Sequence, residues 1–394
     1  MTSPVPPVLV IPASSSSSNT ISISPYPSEP STSVDDDVGA SEYSLIVLFS
    51  TLSIIGIVGN LLVITVVLKV RGMKTPTNCY LVSLAASDTL FFIASMPHEV
   101  MYLIGPTDNY LFGTVGCALL TYLPYLAMNT SSLSITAFTV ERFIGICYPY
   151  RARTMCTVKR AKSIISILWI VSIVYHSQWL FLAAVVHDDV GTMCSFRLKR
   201  NDTSYKIVFL ADFLFLYVVP MLLDIIIYVK IGVTLTRCGD KIKQSVKPKV
   251  SSDVVDETTT ARESHVSGKR TTTKGRHQVV KMLALVVAVF AVCWLPYRAM
   301  VMYNSFVSDP KYHWSPDWYI NLSKTLIFVN CAINPILYNL MSARFRDAFR
   351  TLLSNRKTVA YHTTAIQPPR TRNNTNTECV SIDNQRQPLN SPIL

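Results

Sequence analysis

Apolar residues fall into seven long runs, near 43–69, 78–103, 114–147, 162–186, 205–235, 278–306 and 315–341. Each is long enough to cross about 30 Å of hydrocarbon, which takes roughly 20 helical residues. A helix keeps its backbone hydrogen bonds internal, as lipid requires. The pattern predicts an all-α membrane protein, a seven-transmembrane helix bundle over 43–341.

The polar stretches between the runs give the orientation. Lys69, Arg71 and Lys74 follow the first run, Arg151, Arg153, Lys159 and Arg160 the third, and a dense basic set the fifth. The positive-inside rule places these loops in the cytoplasm. An odd number of spans then leaves the N-terminus extracellular and the tail, with Arg344, Arg346 and Arg350, cytoplasmic.

Residues 1–42 are rich in Ser and Pro, hold Asp35, Asp36 and Asp37, and contain no Lys or Arg, a composition that predicts disorder. The segment lacks the basic start and apolar core of a cleavable signal peptide, so the first helix is expected to direct its own insertion. A third cytoplasmic loop over 236–277 mixes basic residues with Ser251, Ser252, Thr258–Thr260 and Thr271–Thr273, and reads as largely unstructured. In 342–354, Phe345 and Phe349 lie four apart among basic residues, which suits an amphipathic helix on the inner leaflet; a plain stop-transfer tail is the alternative. Residues 355–394 read as a disordered tail. The Ser and Thr residues of loop and tail are either phosphorylation sites or an unmodified polar linker.

Among 394 residues, 49% are apolar and 15% charged, against roughly a quarter charged in soluble domains. The net charge of +12 does not point to nucleic acid, because Lys and Arg avoid the apolar runs and gather in loops and tail. Nine cysteines include no CxxC pair and no neighbouring His at ligand spacing, so neither a zinc site nor a thioredoxin-like motif is supported.

Ionisable groups at membrane depth are costly and therefore functional candidates. Asp88 is grouped by the runs with Asn60, Ser131, Asn330 and Asn334. The cluster would hold water or an allosteric sodium ion, or serve as a structural hydrogen-bond network; no other cofactor is expected. Glu141 and Arg142 end the third run, either as a latch or with Arg142 snorkelling to headgroups. Pro220, Pro296 and Pro335 interrupt backbone bonding inside their helices, which marks places where a helix can pivot.

Asn60, Asp88, Glu141-Arg142-Phe143, Trp169, Pro220 with Tyr228, Phe290 with Cys293-Trp294-Leu295-Pro296, and Asn334-Pro335-Ile336-Leu337-Tyr338 occur together and in this order. They resemble the signature sites of rhodopsin-like G-protein-coupled receptors. The resemblance implies that Arg142 is released when the sixth helix swings outward. Trp294 and Phe290 would relay ligand binding, and Tyr228 and Tyr338 would stabilise the opened cytoplasmic cavity for a heterotrimeric G protein. Phe143 stands where Tyr is commoner, with aromatic bulk retained. Cys117 at the outer start of the third span and Cys194 in the loop before the fifth lie in the oxidising compartment and are the natural disulfide. Asn201-Asp202-Thr203 is a glycosylation acceptor sequence in the same loop, whereas Asn129-Thr130-Ser131 is helical and expected to be unmodified.

Opsins carry a Schiff-base Lys where this chain has Phe328, and monoamine receptors an Asp where it has Pro124, so retinal and amines are not the expected ligands. Tyr125, Asn129, Tyr297, Arg298, Asn304 and Lys324 form an expected polar, cationic pocket. It suits a small ligand with carbonyl acceptors and no positive charge, such as a short blocked and amidated peptide. For Arg298 the competing role is an ion pair with Asp212.

The stretches Tyr125–Ser132, Ser134–Arg142, Cys293–Arg298 and Tyr338–Ser342 are similar to thyrotropin-releasing-hormone receptors. That resemblance implies peptide contacts at Tyr125, Asn129, Tyr297 and Arg298, with Asn304 near the entrance. It also implies a plasma-membrane neuropeptide receptor signalling mainly through Gq to phospholipase C and calcium. Pro124 replaces a usual Gln, and Lys324 an Arg whose planar fork it lacks, so a longer amidated neuropeptide is the alternative ligand. The tail has only the distant Cys379 in place of the family's cysteines just after the amphipathic helix, which leaves a palmitate anchor without support. An ion-coupled transporter using Asp88, Asp212 and Asp224 is the reading from a different class, but no internal inverted repeat supports it. No HExxH run or catalytic pair of aspartates points to an enzyme.

Overall fold

The computed structural model describes residues 39–105, 109–188, 191–198, 202–246, 259–307 and 309–353. Most of the 1–42 segment, the 355–394 tail and Asn201 lie outside these residues. The helices α1 (Ala40–Lys69), α2 (Pro76–Ile104) and α3 (Gly113–Cys147) are followed by short α4 (Pro149–Met155), then α5 (Val158–His176) and α6 (Gln178–Leu182). An antiparallel hairpin of β1 (Ala183–Asp188) and β2 (Gly191–Phe196) precedes α7 (Thr203–Phe213). That helix passes through a π-helical turn (Leu214–Val218) into α8 (Val219–Val246), and α9 (Thr259–Phe306), α10 (Asp317–Met341) and α11 (Ala343–Leu353) follow.

Local chemistry explains where the helices begin. Thr75 caps α2 by accepting from the backbone N–H of Asn78 at 3.2 Å, with Pro76 in the first turn, where its missing N–H costs nothing. Thr157 caps α5 in the same way, accepting from Arg160 at 3.3 Å.

Six helical segments among the described residues are long and apolar enough to cross a membrane. The seventh long helix, α3, is more polar because it packs against α2, α5 and α8. Its Thr121, Asn129, Thr130, Ser132 and Ser134 are buried in protein. The outer faces carry exposed Ile54, Val58, Ile170, Phe215, Ile225, Val229, Val292 and Leu340, the surface a bilayer would solvate. Close approach of α1 to α2 depends on Gly56, where an added Cβ would fall 2.2 Å from the ring of Phe92.

α8 continues to Val246 and α9 starts at Thr259, so helix enters much of the segment read as an unstructured loop. Extending a formed helix avoids the nucleation cost that an isolated polar segment of this length would face.

Two proline breaks are repaired from neighbouring helices. The carbonyl of Leu216, four residues before Pro220, accepts from the hydroxyl of Ser132 at 3.0 Å. The carbonyl of Cys331, four residues before Pro335, accepts from the side-chain amide of Asn60 at 3.1 Å. On α9, the carbonyl of Pro296 accepts from the Tyr319 hydroxyl at 3.1 Å.

The disulfide Cys117–Cys194 ties the start of α3 to β2, with Cα atoms 5.5 Å apart. Tyr110 packs against this cluster, and burial pushes its hydroxyl pKa up to about 12. This is the disulfide end of the bundle; the opposite end carries Arg142. There α11 seats Phe345 against Tyr338, ring centroids 5.9 Å apart. Arg346 donates to the carbonyl of Leu340 at 2.8 Å, closing the end of α10.

Candidate functional site

The polar residues of the spans separate into three layers. Nearest the disulfide end, the guanidinium of Arg298 (α9) donates to Oδ1 of Asn129 (α3) at 3.2 Å and lies 3.6 Å from the carboxylate of Asp212 (α7). Asn129 meets Nε2 of His176 at 2.6 Å, while Nδ1 of His176 lies 2.7 Å from the carbonyl of Ser172. A carbonyl only accepts, so Nδ1 carries the proton and Nε2 accepts from the Asn129 amide. Tyr125 stacks on Trp179 with centroids 4.0 Å apart and planes within 5°, and Tyr297 is buried beside this group on α9.

Two more of the expected pocket residues have partners of their own. Asn304 uses both ends of its amide on the backbone of Trp314, donating to the carbonyl and accepting from the N–H at 2.8 Å each. Lys324 is buried on α10, its ammonium 2.7 Å from Oε2 of Glu99 on α2 and 3.8 Å from the ring centroid of Tyr102. Both cations have carboxylate partners, because a buried charge without one is too costly. Glu99 and His176 were overlooked in the sequence, although Glu99 meets the criterion that singled out Asp88, an ionisable residue inside an apolar run.

The middle layer centres on Asp88, fully buried on α2. Ser131 donates to its Oδ1 at 3.2 Å and Asn334 to its Oδ2 at 2.8 Å. Asn60 is buried close by on α1, and Asn330 on α10. The oxygen-rich set around a single carboxylate suits a hard monovalent cation, and among the described residues no group of His, Cys, Asp and Glu suits a transition metal. On the side of α9, Phe290 and Trp294 lie 6.0 Å apart, with Tyr217 packed on Phe290 and Phe91 on Trp294.

At the far end, Arg142 donates to Oε1 of Glu141 at 3.1 Å and lies over the ring of Phe138. The hydroxyls of Tyr228 and Thr139 are 3.4 Å apart, and Tyr338 is buried below Pro335. Asp88, Asp212 and Asp224 have separate partners, Asp224 accepting from Thr136 at 3.3 Å. On α5, Trp169 donates to Ser83 at 3.0 Å, and Ser83 pairs with Ser134 at 2.9 Å, which joins α5, α2 and α3.

Residues 59–338 match the family model described as 7 transmembrane receptor (rhodopsin family). The chain is similar to the thyrotropin-releasing hormone receptor of Bos taurus, 40% identical over 328 residues, 80% of this chain and 79% of that protein. It is 39% identical over 324 residues to the same receptor of Homo sapiens, covering 80% of this chain and 79% of that protein. Neuromedin-U receptor 2 of Mus musculus is 32% identical over 320 residues, 78% of this chain and 74% of that protein. A match over this much of the chain, together with a disulfide-tied helical bundle whose signature residues meet in three buried layers, carries the assignment. The chain belongs to the rhodopsin family of seven-transmembrane receptors, in the group that includes the thyrotropin-releasing hormone receptors, and is not an enzyme.

Proposed function

We propose that this receptor sits in the plasma membrane with its disulfide end outside and binds a short amidated peptide with uncharged ends. The observation that carries this reading is the pairing of both buried cations, Arg298 with Asp212 and Lys324 with Glu99. Such a wall offers hydrogen-bond donors without net charge. A ligand rich in carbonyl oxygens gains from that arrangement, and one with a free charged terminus loses hydration without compensation. Tyr125, Asn129 and Tyr297 orient the peptide, with Asn304 holding the rim. The similarity to receptors named for thyrotropin-releasing hormone and for neuromedin U supports a peptide ligand, and a longer amidated neuropeptide is the second reading.

Binding is read out by a heterotrimeric G protein, Gq, at the Arg142 end, through phospholipase C to calcium. Arrestin follows phosphorylation of the tail and third loop. The α11 helix lies on the inner lipid leaflet, and a sodium ion bound at Asp88, Ser131, Asn330 and Asn334 acts as an allosteric ligand.

The test is intracellular calcium in cells expressing the chain, challenged with a panel of short amidated peptides, pyroglutamyl ones included. An Arg298→Ala variant is run at matched surface expression. Losing a charge-assisted hydrogen bond predicts a potency shift of about ten- to a hundredfold. Silence to every peptide at good surface expression refutes the ligand class.

A further inference from the structure

His176 is a buried ionisable side chain that the reading of the peptide site leaves without a task. It ends α5 and is fully buried. The charged groups around it are Asp212 on α7 and Arg298 on α9, and the ring of its neighbour Tyr175 packs on it with centroids 4.9 Å apart. Its Nδ1 lies 2.7 Å from the carbonyl of Ser172, four residues back on the same helix. That carbonyl fixes the proton on Nδ1 and leaves Nε2 an acceptor. Nε2 lies 2.6 Å from the side-chain nitrogen of Asn129. The same nitrogen reaches Oδ2 of Asp212 at 3.5 Å, and the amide oxygen accepts from Arg298 at 3.2 Å.

We propose that His176 is a positioning residue for Arg298: it sets which end of the Asn129 amide faces the guanidinium, and so aims Arg298 at the peptide. The step from Arg298 to peptide rests on the function proposed above. An amide has nearly the same shape either way round, but turning it over exchanges acceptor for donors. Turned over, Asn129 would set its NH2 against the guanidinium, which only donates. Its oxygen would then meet Nε2 and the Asp212 carboxylate, which only accept. Asp212 is the weaker guide of these two, at 3.5 Å from the amide against 2.6 Å for His176. Without an acceptor at 176 the amide can turn, and Arg298 loses the neutral partner that holds its plane. A guanidinium donates as a rigid planar fork, so a change of plane redirects all its N–H groups at once.

The experiment uses the full chain in lipid nanodiscs, with ¹⁵N in histidine and arginine, observed by NMR without any peptide. His176→Gln identifies the His176 signals by their loss, and Arg298→Lys those of Arg298. In the parent, Nδ1 of His176 is expected to carry the proton and Nε2 to be bare. The two terminal nitrogens of Arg298 stay distinct, because the guanidinium is held. His176→Leu, which has no acceptor, averages them. His176→Gln, whose side-chain carbonyl can take the Asn129 N–H, keeps them distinct. In the calcium assay with the panel of short amidated peptides, at matched surface expression, His176→Leu lowers potency about tenfold and His176→Gln restores it. A role in filling space alone would not separate Leu from Gln in this way. A proton on Nε2 in the parent, distinct Arg298 signals in the Leu variant, equal averaging in Leu and Gln, or unchanged potency in the Leu variant would each overturn the proposal. The first of these is read in the parent, so it decides even where His176→Leu fails to fold. Silence of the parent to the whole panel, with the expected NMR pattern, refutes the ligand class and leaves His176 positioning Arg298.

Discussion

Ser132 on α3 donates at 3.0 Å to the carbonyl of Leu216, in the π-helical turn that runs into Pro220. A helix that crosses lipid has no water to satisfy such a carbonyl, so the repair comes from the neighbouring helix. Pro220 thereby makes the geometry of its helix depend on α3, the same helix that carries Asn129 toward Arg298 and Glu141 toward Arg142.

Ser132→Ala is expected to destabilise the purified receptor by about 1–3 kcal/mol, the cost of an unsatisfied buried acceptor. In a Pro220→Ala background the restored N–H supplies a donor, and the cost of Ser132→Ala shrinks. Thermal unfolding of the four proteins measures the cycle. An equal loss in both backgrounds would show that the hydroxyl does not serve the proline break.

Glu99 and Lys324 are each 1% exposed, and removing one strands the other. Lys324→Met should cost about 3–5 kcal/mol and sharply lower surface expression. Glu99→Gln combined with Lys324→Met leaves no buried charge and recovers most of it. Antibody labelling of intact cells decides the matter; a double variant no better than the worse single one contradicts the pairing.

Glu141→Gln weakens the hold on Arg142, whose side chain is 23% exposed. A partly solvated pair of this kind contributes about 1 kcal/mol, so the population with Arg142 released rises roughly fivefold. Inositol phosphate accumulation without ligand, at matched surface expression, should rise accordingly. Basal signalling identical to the parent would rule out a latch.

Asp88 supplies the carboxylate of the proposed sodium site. Replacing N-methylglucamine chloride by sodium chloride at constant ionic strength should shift agonist potency in the parent and leave Asp88→Asn unaffected. A parent receptor indifferent to sodium would leave Asp88 a purely structural hydrogen-bond acceptor.

The spans were legible because lipid demands a local property, a long apolar run, and the signature residues because each keeps its place within its run. The polar helix α3 shows the limit: its inclusion rested on length, since its Ser and Thr residues face protein. The sixth span places Asn304 near the pocket entrance, but the partner of its amide, the backbone of Trp314 in the following loop, is visible only in the fold. Nothing in the local sequence fixes how that loop folds back.

Membrane helices, the segments that cross, and the places where prolines remove a backbone donor can all be read along the chain, because apolar length and covalent structure act within one segment. Tertiary structure decided the partners: Ser132 for the break at Pro220, Asp212 for Arg298, Glu99 for Lys324, and His176 for Asn129. Those depend on which faces of separate helices meet. That is set by packing across the whole bundle, where each buried charge or orphaned carbonyl must find its partner on another helix.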